Sequence, residues 1–496
     1  MILSHDLGTT GDKATLVSDE GRVIAAVTQR YDTQFGPQGK AEQDPADWWD
    51  AFCEATRRLL EQTDTAPASI DVVSFSGQMM GVVPLDSARE VVRPAIIWAD
   101  TRSTRQTARL VERVPIERVY EITGHRLNAT YSLSKLLWLR DEEPESFRRT
   151  AVSVQAKDFL VHRLTGVLAT DPSDASGTNA FDQRAGRWSE EIIDAAELAH
   201  TLFPQIVPSS SVTGRITAQA ARESGLLAGT AVVQGGGDGP LAALGAGVTT
   251  PDSGGYAYLG SSSWVSVSAA APMHDPAMRS MTFNHVIPDL FVPTATMQAG
   301  GASLQWIVDV LGSDPAADYE TLLAAAAAGS GASDGLFFLP HLLGERSPYW
   351  NPRARAAFLG LQRHHGRGAL VRAVVEGVAF NLRSGLRAFS ENGRGLGRID
   401  VIGGAAKSPF IVQLLADVWG ITVSRRDLVD EANALGAAIV GGVGVGIFDG
   451  FEVASKFSRR EGDHLPDARG HADYERGYAR FTDAYRRLEG WFEDLP

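Results

Sequence analysis

The sequence predicts an α/β protein built from two large domains. Its 496 residues exceed what a single hydrophobic core normally supports. The chain opens with a strand, a small polar loop and a second strand, and this pattern recurs near residue 250. The recurrence indicates a duplicated α/β unit, although chance similarity between two glycine-rich hairpins explains so short a repeat equally well.

The first domain is predicted to span residues 1–248. Its predicted elements are strands at 2–3, 14–17, 23–27 and 71–75 and a helix at 48–60. The first two strands flank a loop of small and polar residues at 6–13. The opening of the chain is therefore expected to form a β-hairpin with its loop free to contact a ligand.

The second domain is predicted to span residues 249–496, after a hinge at 249–254 that is rich in turn residues. Near the C-terminus, one face of a helix carries apolar side chains at spacings of three and four. These residues are Tyr474, Tyr478, Phe481, Tyr485, Leu488 and Phe492. Core packing explains such a face, and the surface of a homodimer remains the alternative.

Composition excludes several classes of partner. The net charge of −14 argues against nucleic acid or an anionic membrane, since both require concentrated Lys and Arg. Cys53 is the only cysteine, so neither an intramolecular disulfide nor a Cys-rich zinc site is expected. The sequence shows no basic and apolar leader and no apolar run of about 18 residues. We therefore expect a cytoplasmic enzyme.

The loop from Asp6 to Thr10 follows the first strand and combines a carboxylate, a glycine and two hydroxyls. Such a loop can direct backbone N–H groups and hydroxyls at phosphate oxygens. Asp6 can also hold Mg²⁺ through water molecules, because this ion gives up its waters reluctantly. A plain hairpin turn is the alternative interpretation.

A second loop, at 234–240, contains three glycines followed by Asp238. The glycines let a ligand approach the backbone, and the carboxylate stands as a candidate general base at a strand end. The alternative is a glycine-rich turn in which Asp238 caps a helix that begins at Pro240.

A third loop, at 403–409, also lies between a predicted strand and a predicted helix. Its glycines Gly403 and Gly404 can admit an adenosine or its phosphates, although the spacing of a P-loop is absent. An ordinary strand-to-helix turn is the alternative. Together the three loops fit a nucleotide held between two domains.

The pair His364 and His365 lies in a polar turn beside Arg363 and Arg367. No third ligand is close in sequence, so we expect a solvated loop rather than a metal site.

Several segments, spread over nearly the whole chain, resemble the FGGY carbohydrate kinases. Two resemble the family signatures, KLLWLRDE at 135–142 and AAFLGL at 356–361 with LVRAVVEG at 370–377. Others are most similar to the xylulokinases of this family: AEQDP at 41–45, RPAIIWAD at 93–100, KDFL at 157–160, TDPSDASGT at 170–178 and FLPHLLGERSP at 338–348.

The resemblance implies the ribonuclease-H-like fold shared with actin and hexokinase, with a catalytic cleft between two α/β domains. It also implies ATP and Mg²⁺ as cofactors and ATP-dependent phosphorylation of D-xylulose to D-xylulose 5-phosphate, or of a related ketose or polyol. Asp6 is then expected to place the metal and phosphates, and Asp238 to deprotonate the sugar hydroxyl. Both would contact the metal through water.

By the same resemblance, the sugar is expected against Gln78, Met79, Met80, Trp98, Asp100 and Asp238. The residues expected to bind ATP are Gly8, Thr9, Thr10, Lys13, Gly260, Ser261, Gly300, Gly301, Gly403, Gly404, Ala405, Lys407 and Asn433.

Alternative functions remain open. The chain resembles a family that includes kinases of other sugars and sugar acids, and its fold also serves silent sugar or nucleotide sensors and cytoskeletal or chaperone ATPases. Met80 and Gly239 stand where xylulokinases usually carry His and Asn, which offer hydrogen bonds to sugar hydroxyls. These departures predict weaker use of D-xylulose or a shift towards a different ketose, polyol or sugar acid.

Overall fold

The computed structural model describes residues 1–312, 315–329, 334–427 and 431–495. The strands are β1 Ile2–Leu7, β2 Gly11–Val17, β3 Val23–Arg30, β4 Gln34–Gly36, β5 Lys40–Gln43, β6 Val72–Gly77, β7 Val83–Leu85, β8 Ala95–Ile96, β9 Val152–Val154, β10 Ala169–Thr170, β11 Phe181–Asp182, β12 Arg187–Trp188, β13 Gln205–Ile206, β14 Val212–Arg215, β15 Ala231–Val233, β16 Gly236–Gly237, β17 Gly255–Leu259, β18 Ser263–Val267, β19 Met281–Asn284, β20 Phe291–Met297, β21 Phe337–Leu339, β22 Ala357–Leu359, β23 Arg398–Ile402, β24 Thr422–Arg426 and β25 Arg460–His464.

The helices are α1 Pro45–Gln62, α2 Thr104–Arg113, α3 Ile116–Thr123, α4 Ser132–Glu142, α5 Pro144–Arg149, α6 Ala156–Thr165, α7 Pro172–Ser176, α8 Glu190–Ala195, α9 Ala218–Ser224, α10 Asp238–Gly245, α11 Gly301–Leu311, α12 Pro315–Ala327, α13 Arg367–Glu391, α14 Pro409–Trp419, α15 Ala432–Gly444, α16 Ala454–Phe457 and α17 Ala468–Glu493. None of the helices in the described part of the chain has both the length and the hydropathy needed to cross a bilayer.

The first sheet has the strand order β14-β15-β6-β1-β2-β3, with β16 paired to the end of β6. Its central strand β1 runs antiparallel to β2 and parallel to β6. Successive side chains of a strand point to opposite faces. Leu3 and Val73 accordingly pack with helix α1, while Ile2 and Val72 pack on the other face with α15.

The second sheet has the order β19-β20-β18-β17-β23-β24-β25 and repeats the pattern of the first. Its central strand β17 runs antiparallel to β18 and parallel to β23, just as β1 lies between β2 and β6. Both sheets then continue through a second parallel strand, β15 or β24, to an antiparallel edge pairing. The short repeat in the sequence thus corresponds to a duplicated α/β unit, as predicted.

Helix α1 illustrates how the sequence sets the elements around the first sheet. The Asp44 side chain accepts a hydrogen bond from the Ala46 N–H, and Pro45 occupies the first helical turn. Trp48, Phe52 and Leu59 then recur on one face and are fully buried against the sheet. The helix exceeds the predicted range of 48–60 at both ends, and at the N-terminal end this is because its capping residues precede the apolar face.

Helix α15 comes late in the chain but packs against the first sheet and α10. A Cβ atom on Gly245 would lie 1.9 Å from the Ala432 carbonyl oxygen, and one on Gly436 would lie 2.2 Å from that of Leu241. Only glycine allows the two helix backbones to approach so closely. The division at 248/249 stays a prediction, and α15 is a segment of the second part that contributes to the core of the first.

The C-terminal helix α17 includes the predicted face at 474–492. Tyr478, Phe481, Tyr485 and Phe492 are buried in the core that the second sheet shares with α13 and α14. Core packing therefore accounts for this face.

Candidate active site

Asp6 lies near the end of the central strand of the first sheet, where β1 meets the polar loop. Its Oδ1 atom accepts a hydrogen bond of 2.6 Å from the Ser76 hydroxyl and lies 3.5 Å from the Asn433 amide nitrogen. Lys13 is opposite Asp6 in the β1–β2 pairing. Burial raises the pKa of Asp6, and the Ser76 hydrogen bond and the Lys13 charge oppose that rise.

Asp238 is the first residue of α10, at the neighbouring strand end. The turn before it depends on Gly235, whose φ is +73° and where a Cβ would lie 1.9 Å from the Phe75 carbonyl oxygen. Strand β16 then pairs with the end of β6 and brings Asp238 next to Asp6. Burial and the Asp6 charge raise the pKa of Asp238 from 3.8 to about 7.

A fully buried cluster of one lysine and three aspartates supports the loop that precedes Asp238. Lys157 Nζ lies 2.5 Å from Asp158, 3.0 Å from Asp171 and 3.4 Å from Asp174, and all four side chains are inaccessible to solvent. Asp171 accepts a 2.5 Å hydrogen bond from Ser173, whose hydroxyl oxygen in turn accepts one from the Gly237 N–H. The backbone just before the candidate base is thus connected to the cluster.

Asp6 and Asp238 border a cavity of about 300 Å³ between the two sheets. It is lined by Asp6, Gly8, Thr9, Met79, Met80, Trp98, Asp238, Gly239, Tyr258, Ser262, Trp264, Met281, Phe283, Thr294, Thr296, Arg346 and Asn433. Both parts of the chain contribute side chains, which is the arrangement expected of a cleft that closes on small ligands.

Four of the residues expected to contact the sugar line this cavity: Asp238, Met79, Met80 and Trp98. Met80 adopts a left-handed backbone conformation with φ of +65°, which is uncommon for a side chain of its size. Its carbonyl oxygen accepts a 2.7 Å hydrogen bond from the buried Nζ atom of Lys135, which holds this conformation in place. The Trp98 indole donates to the Thr9 hydroxyl at 2.8 Å.

Gln78 and Asp100 lie outside the cavity lining, although the sequence places them among the sugar contacts. The Gln78 amide donates to Gln43 at 2.8 Å behind the Asp6 loop. Asp100 pairs with Arg102 at 2.9 Å and accepts a hydrogen bond from the Ala41 N–H. Both therefore support the wall of the site from behind.

Among the residues of the first loop expected to bind ATP, Gly8 and Thr9 line the cavity, and Thr10 is exposed beside them. The Gly8 carbonyl oxygen accepts a hydrogen bond from the Tyr31 hydroxyl, and that of Thr9 accepts one of 2.7 Å from Gln43. The loop is therefore held from outside while its inner surface faces the cavity.

A second group of expected ATP residues meets where α11 begins. The Gly301 N–H donates to the Gly260 carbonyl oxygen at 2.8 Å, and the Ala302 N–H donates to that of Ser261 at 3.1 Å. A Cβ on Gly300 would lie 2.0 Å from the Ser263 hydroxyl oxygen. The two loops can pack this tightly only because Gly300 and Gly301 carry no side chain.

The third loop lies against the second. Gly403 has a φ of +92°, and a Cβ there would lie 2.8 Å from the Leu259 carbonyl oxygen. Ala405, Gly300 and Gly301 border a common small cavity of about 30 Å³, with Gly404 and Lys407 exposed beside it. Asn433 lies apart from this group, since it lines the main cavity beside Asp6.

Several residues of the site were not assigned a role from the sequence. Ser76, Trp264 and Arg346 are the clearest, because each contacts Asp6 or lines the cavity. Arg346 stands within the segment FLPHLLGERSP, so a signal for it existed. Trp264 pairs with Tyr258 across β17 and β18, as Lys13 pairs with Asp6 across β1 and β2, and only this pairing of the strands reveals which way it points.

The structure brings a third potential ligand, Asp334, to the histidine pair that the sequence assigns to a solvated loop. The ring Nε2 atoms of His364 and His365 lie 2.8 Å and 3.3 Å from Asp334 Oδ2. The Gln362 N–H donates to His365 Nδ1 at 2.9 Å. The buried Nε2 atom of His365 makes no hydrogen bond to Asp334 despite the distance of 3.3 Å. The hydrogen bond with His364 holds the Asp334 carboxylate in this cluster.

Comparison with known proteins identifies the family. The model of the N-terminal domain of the FGGY family of carbohydrate kinases matches residues 1–245, and that of the C-terminal domain matches residues 255–445. A xylulose kinase of Bacillus subtilis is 32% identical over 495 residues, which cover 100% of this chain and 97% of the relative.

Solved structures agree with this. A ligand-bound xylulose kinase from Lactobacillus acidophilus superimposes with a TM-score of 0.94 at 25% identity, covering 100% of this chain and 99% of that one. A gluconate kinase from the same organism gives a TM-score of 0.92 at 26% identity over 98% of each chain. This chain belongs to the FGGY family of carbohydrate kinases.

Proposed function

We propose that this enzyme transfers the γ-phosphoryl group of ATP to a hydroxyl of D-xylulose or of a closely related sugar, with Asp238 as the general base. The observation that carries the proposal is the pairing of Asp238 with Asp6 at the floor of one cavity, with the pKa of Asp238 raised to about 7. A base with a pKa near the working pH is both deprotonated and basic enough to accept a proton. The xylulose kinase relatives support D-xylulose as the sugar.

In this mechanism Asp238 accepts the proton of the attacking sugar hydroxyl. At the same time, the oxygen of that hydroxyl forms the new bond to phosphorus. The bond between phosphorus and the bridging oxygen of ADP breaks, and the proton later passes to solvent. The transition state needs alignment and neutralisation of charge more than covalent help. The loops at Gly8, Gly260 and Gly403 would supply backbone N–H groups to the nucleotide, and closure of the cavity would exclude water.

The residues present fit a magnesium ion. Asp6 and Asp238 offer carboxylate oxygens, the ligand type that Mg²⁺ prefers, and Asn433 offers an amide beside them. When bound, the ion would neutralise charge on the phosphates of ATP. We also propose a cytoplasmic location, where ATP is supplied, with the sugar and ATP as partners and neither nucleic acid nor a membrane.

A substrate panel tests the function. The purified enzyme is assayed with Mg²⁺–ATP and D-xylulose, other ketopentoses, pentitols and sugar acids, with ADP release coupled to NADH oxidation and the sugar phosphate identified by mass. We expect phosphorylation of one of these compounds with a KM of about 1 μM to 1 mM. ADP release without any sugar phosphate, or no turnover with the whole panel, would contradict the proposal and favour an ATPase or a silent sensor.

Replacing Asp6 should affect the use of the metal more than that of the sugar. In Asp6→Ala we expect the Mg²⁺ concentration for half-maximal rate to rise at least about tenfold, because the variant loses a carboxylate near the phosphates. The KM for the sugar should change much less. Titration of Mg²⁺ at fixed ATP measures this, and an unchanged dependence on Mg²⁺ would remove Asp6 from the metal site.

Replacing Met80 and Gly239 tests which residues select the sugar. A Cβ on Gly239 has no atom within 4 Å, so the structure leaves room for a side chain there. Histidine also tolerates the left-handed conformation of Met80 better than methionine does. The double variant Met80→His, Gly239→Asn should therefore lower the KM for D-xylulose by about one to two decades through two new hydrogen bonds. The single variants are the controls, and no gain in either would show that these positions do not select the sugar.

A further inference from the structure

We propose that Arg346 is a substrate-binding residue that holds two adjacent oxygens at the end of the sugar remote from Asp238. These would be the hydroxyketone oxygens of a ketose or the carboxylate of a sugar acid. The inference rests on the proposed function, because it takes Asp238 to mark the hydroxyl that is phosphorylated.

The loop that carries Arg346 is fixed by a buried carboxylate. Glu345 Oε1 accepts hydrogen bonds from the N–H groups of Arg346 and Gln298 at 2.8 Å and 3.0 Å. Its Oε2 contacts His341 at 3.1 Å and accepts from the Asn381 amide at 3.0 Å. Glu345 is therefore occupied by the loop itself and leaves the neighbouring guanidinium unpaired.

The guanidinium lines the cavity without an ion pair or hydrogen bond to any residue that the structure describes. Its Nη2 atom is completely buried, and its Cζ atom lies 5.6 Å from the centre of the Trp98 ring. Burial lowers the pKa of Arg346 below its ordinary value, and the Tyr131 and Glu345 groups only partly oppose this. A buried donor of this kind is costly unless a ligand satisfies it.

Charge is distributed unevenly along the cavity. Asp6 and Asp238 lie together at the ends of β1 and β16 in the first part of the chain. Arg346 enters the cavity from the second part of the chain, between β21 and β22, with its guanidinium 5.6 Å from the Trp98 ring. The end remote from the base is therefore positive, which favours electron-rich oxygens of the ligand.

The remaining wall at that end offers few polar groups. Met80, Met281 and Phe283 present thioethers and a ring, and the Thr294 hydroxyl is engaged by Ser266 and the Val292 carbonyl oxygen. The planar fork of Arg346 is thus the main N–H donor for the sugar there. Such a fork matches two oxygens on adjacent or shared carbons better than a lone hydroxyl.

The test compares ligands that differ only at that end. Binding of D-xylulose, xylitol and D-xylonate is measured without ATP, by calorimetry and by the fluorescence of Trp98 and Trp264, and kcat/KM is measured with ATP. In Arg346→Met we expect D-xylulose or D-xylonate to bind about 10- to 100-fold more weakly, because a hydrogen bond to a charged group is lost. Xylitol, which lacks the carbonyl oxygen, should lose less than about threefold, so the discrimination between ligands should disappear.

The variant Arg346→Lys separates the two ligand classes. It keeps the charge and loses the fork, so binding of the carboxylate should survive better than that of the hydroxyketone. Arg353→Met, at an exposed arginine of the same connection between β21 and β22, is the matched control and should change nothing. Affinity for a non-hydrolysable ATP analogue reports whether the variants are folded.

Equal losses for all three ligands in Arg346→Met, or no loss for any, would overturn the proposal, since a collapsed loop affects every ligand alike. If the wild type binds ligands with this dependence on Arg346 yet transfers no phosphoryl group, then the proposed function fails and the role of Arg346 stands.

Discussion

Replacing Asp238 by Asn should lower kcat by about 10²- to 10⁴-fold, the contribution of a positioned general base. The amide has almost the same shape as the carboxylate but cannot accept the proton of the sugar hydroxyl. ATP binding should stay within about threefold of the wild type, because the glycine loops that would hold the nucleotide are elsewhere. The measurement is the steady-state rate with the best sugar of the panel. A variant that keeps more than about a tenth of the wild-type kcat would exclude Asp238 as the base.

The pH dependence checks the same assignment independently. Because the pKa of Asp238 in the free enzyme is about 7, kcat/KM for the sugar should fall tenfold per pH unit below that value. The folded pKa lies above the usual 3.8, so folding takes up a proton between about pH 4 and 7. The contribution of this carboxyl to stability therefore decreases as pH rises through that window. Asp238→Asn should consequently unfold at the same or a higher temperature than the wild type at pH 8.

Replacing Lys157 by Met should produce the largest loss of stability, about 3–5 kcal/mol in the free energy of unfolding. Three carboxylates would remain in a region without solvent, and the buried cation that pairs with all three would be gone. Burial already raises the pKa values of Asp158 and Asp174, and Lys157 opposes that rise. Removing Lys157 raises them further, so the loss should grow as pH rises and shrink in acid, where the carboxyls are protonated. Urea unfolding at pH 5.5 and 8 measures the difference.

Two variants control this experiment. Arg118→Met also removes a cation that pairs with two carboxylates, Glu191 and Glu121, but at the surface, and it should cost less than about 1 kcal/mol. Lys157→Met combined with Asp174→Asn should recover part of the loss, because one buried charge is removed with the cation. A cost for Lys157→Met as small as that for Arg118→Met would show that the buried cluster does not stabilise the fold.

The sequence predicts the loops of the site well because each has a local cause. Gly235 and Gly403 stand where a positive φ and a close carbonyl oxygen exclude any other residue, so glycine marks these turns. The hairpin of β1 and β2 follows from two short apolar segments, Ile2–Leu3 and Ala14–Val17, on either side of a polar loop. The sequence therefore indicates both carboxylates of the cavity, Asp6 and Asp238.

The remaining features depend on contacts between distant segments, which local patterns do not encode. Asp100 carries the same carboxylate group as Asp238. It lies outside the cavity lining, because it pairs with Arg102 and accepts a hydrogen bond from the Ala41 N–H. Asn433 was expected with the adenosine loops and lies beside Asp6 instead, because α15 packs on the first sheet. Arg346 reaches the cavity only because Glu345 fixes the loop around it.

The late position of helix α15 has a consequence for how the protein is made. The ribosome completes β1 and β6 by residue 77, but the helix that covers Ile2 and Val72 begins only at residue 432. At a synthesis rate of about 5–20 residues per second, this sheet face waits for roughly 20 to 70 seconds without its cover. The nascent chain is therefore expected to need protection by chaperones, and a fragment that ends near residue 248 should be prone to aggregation.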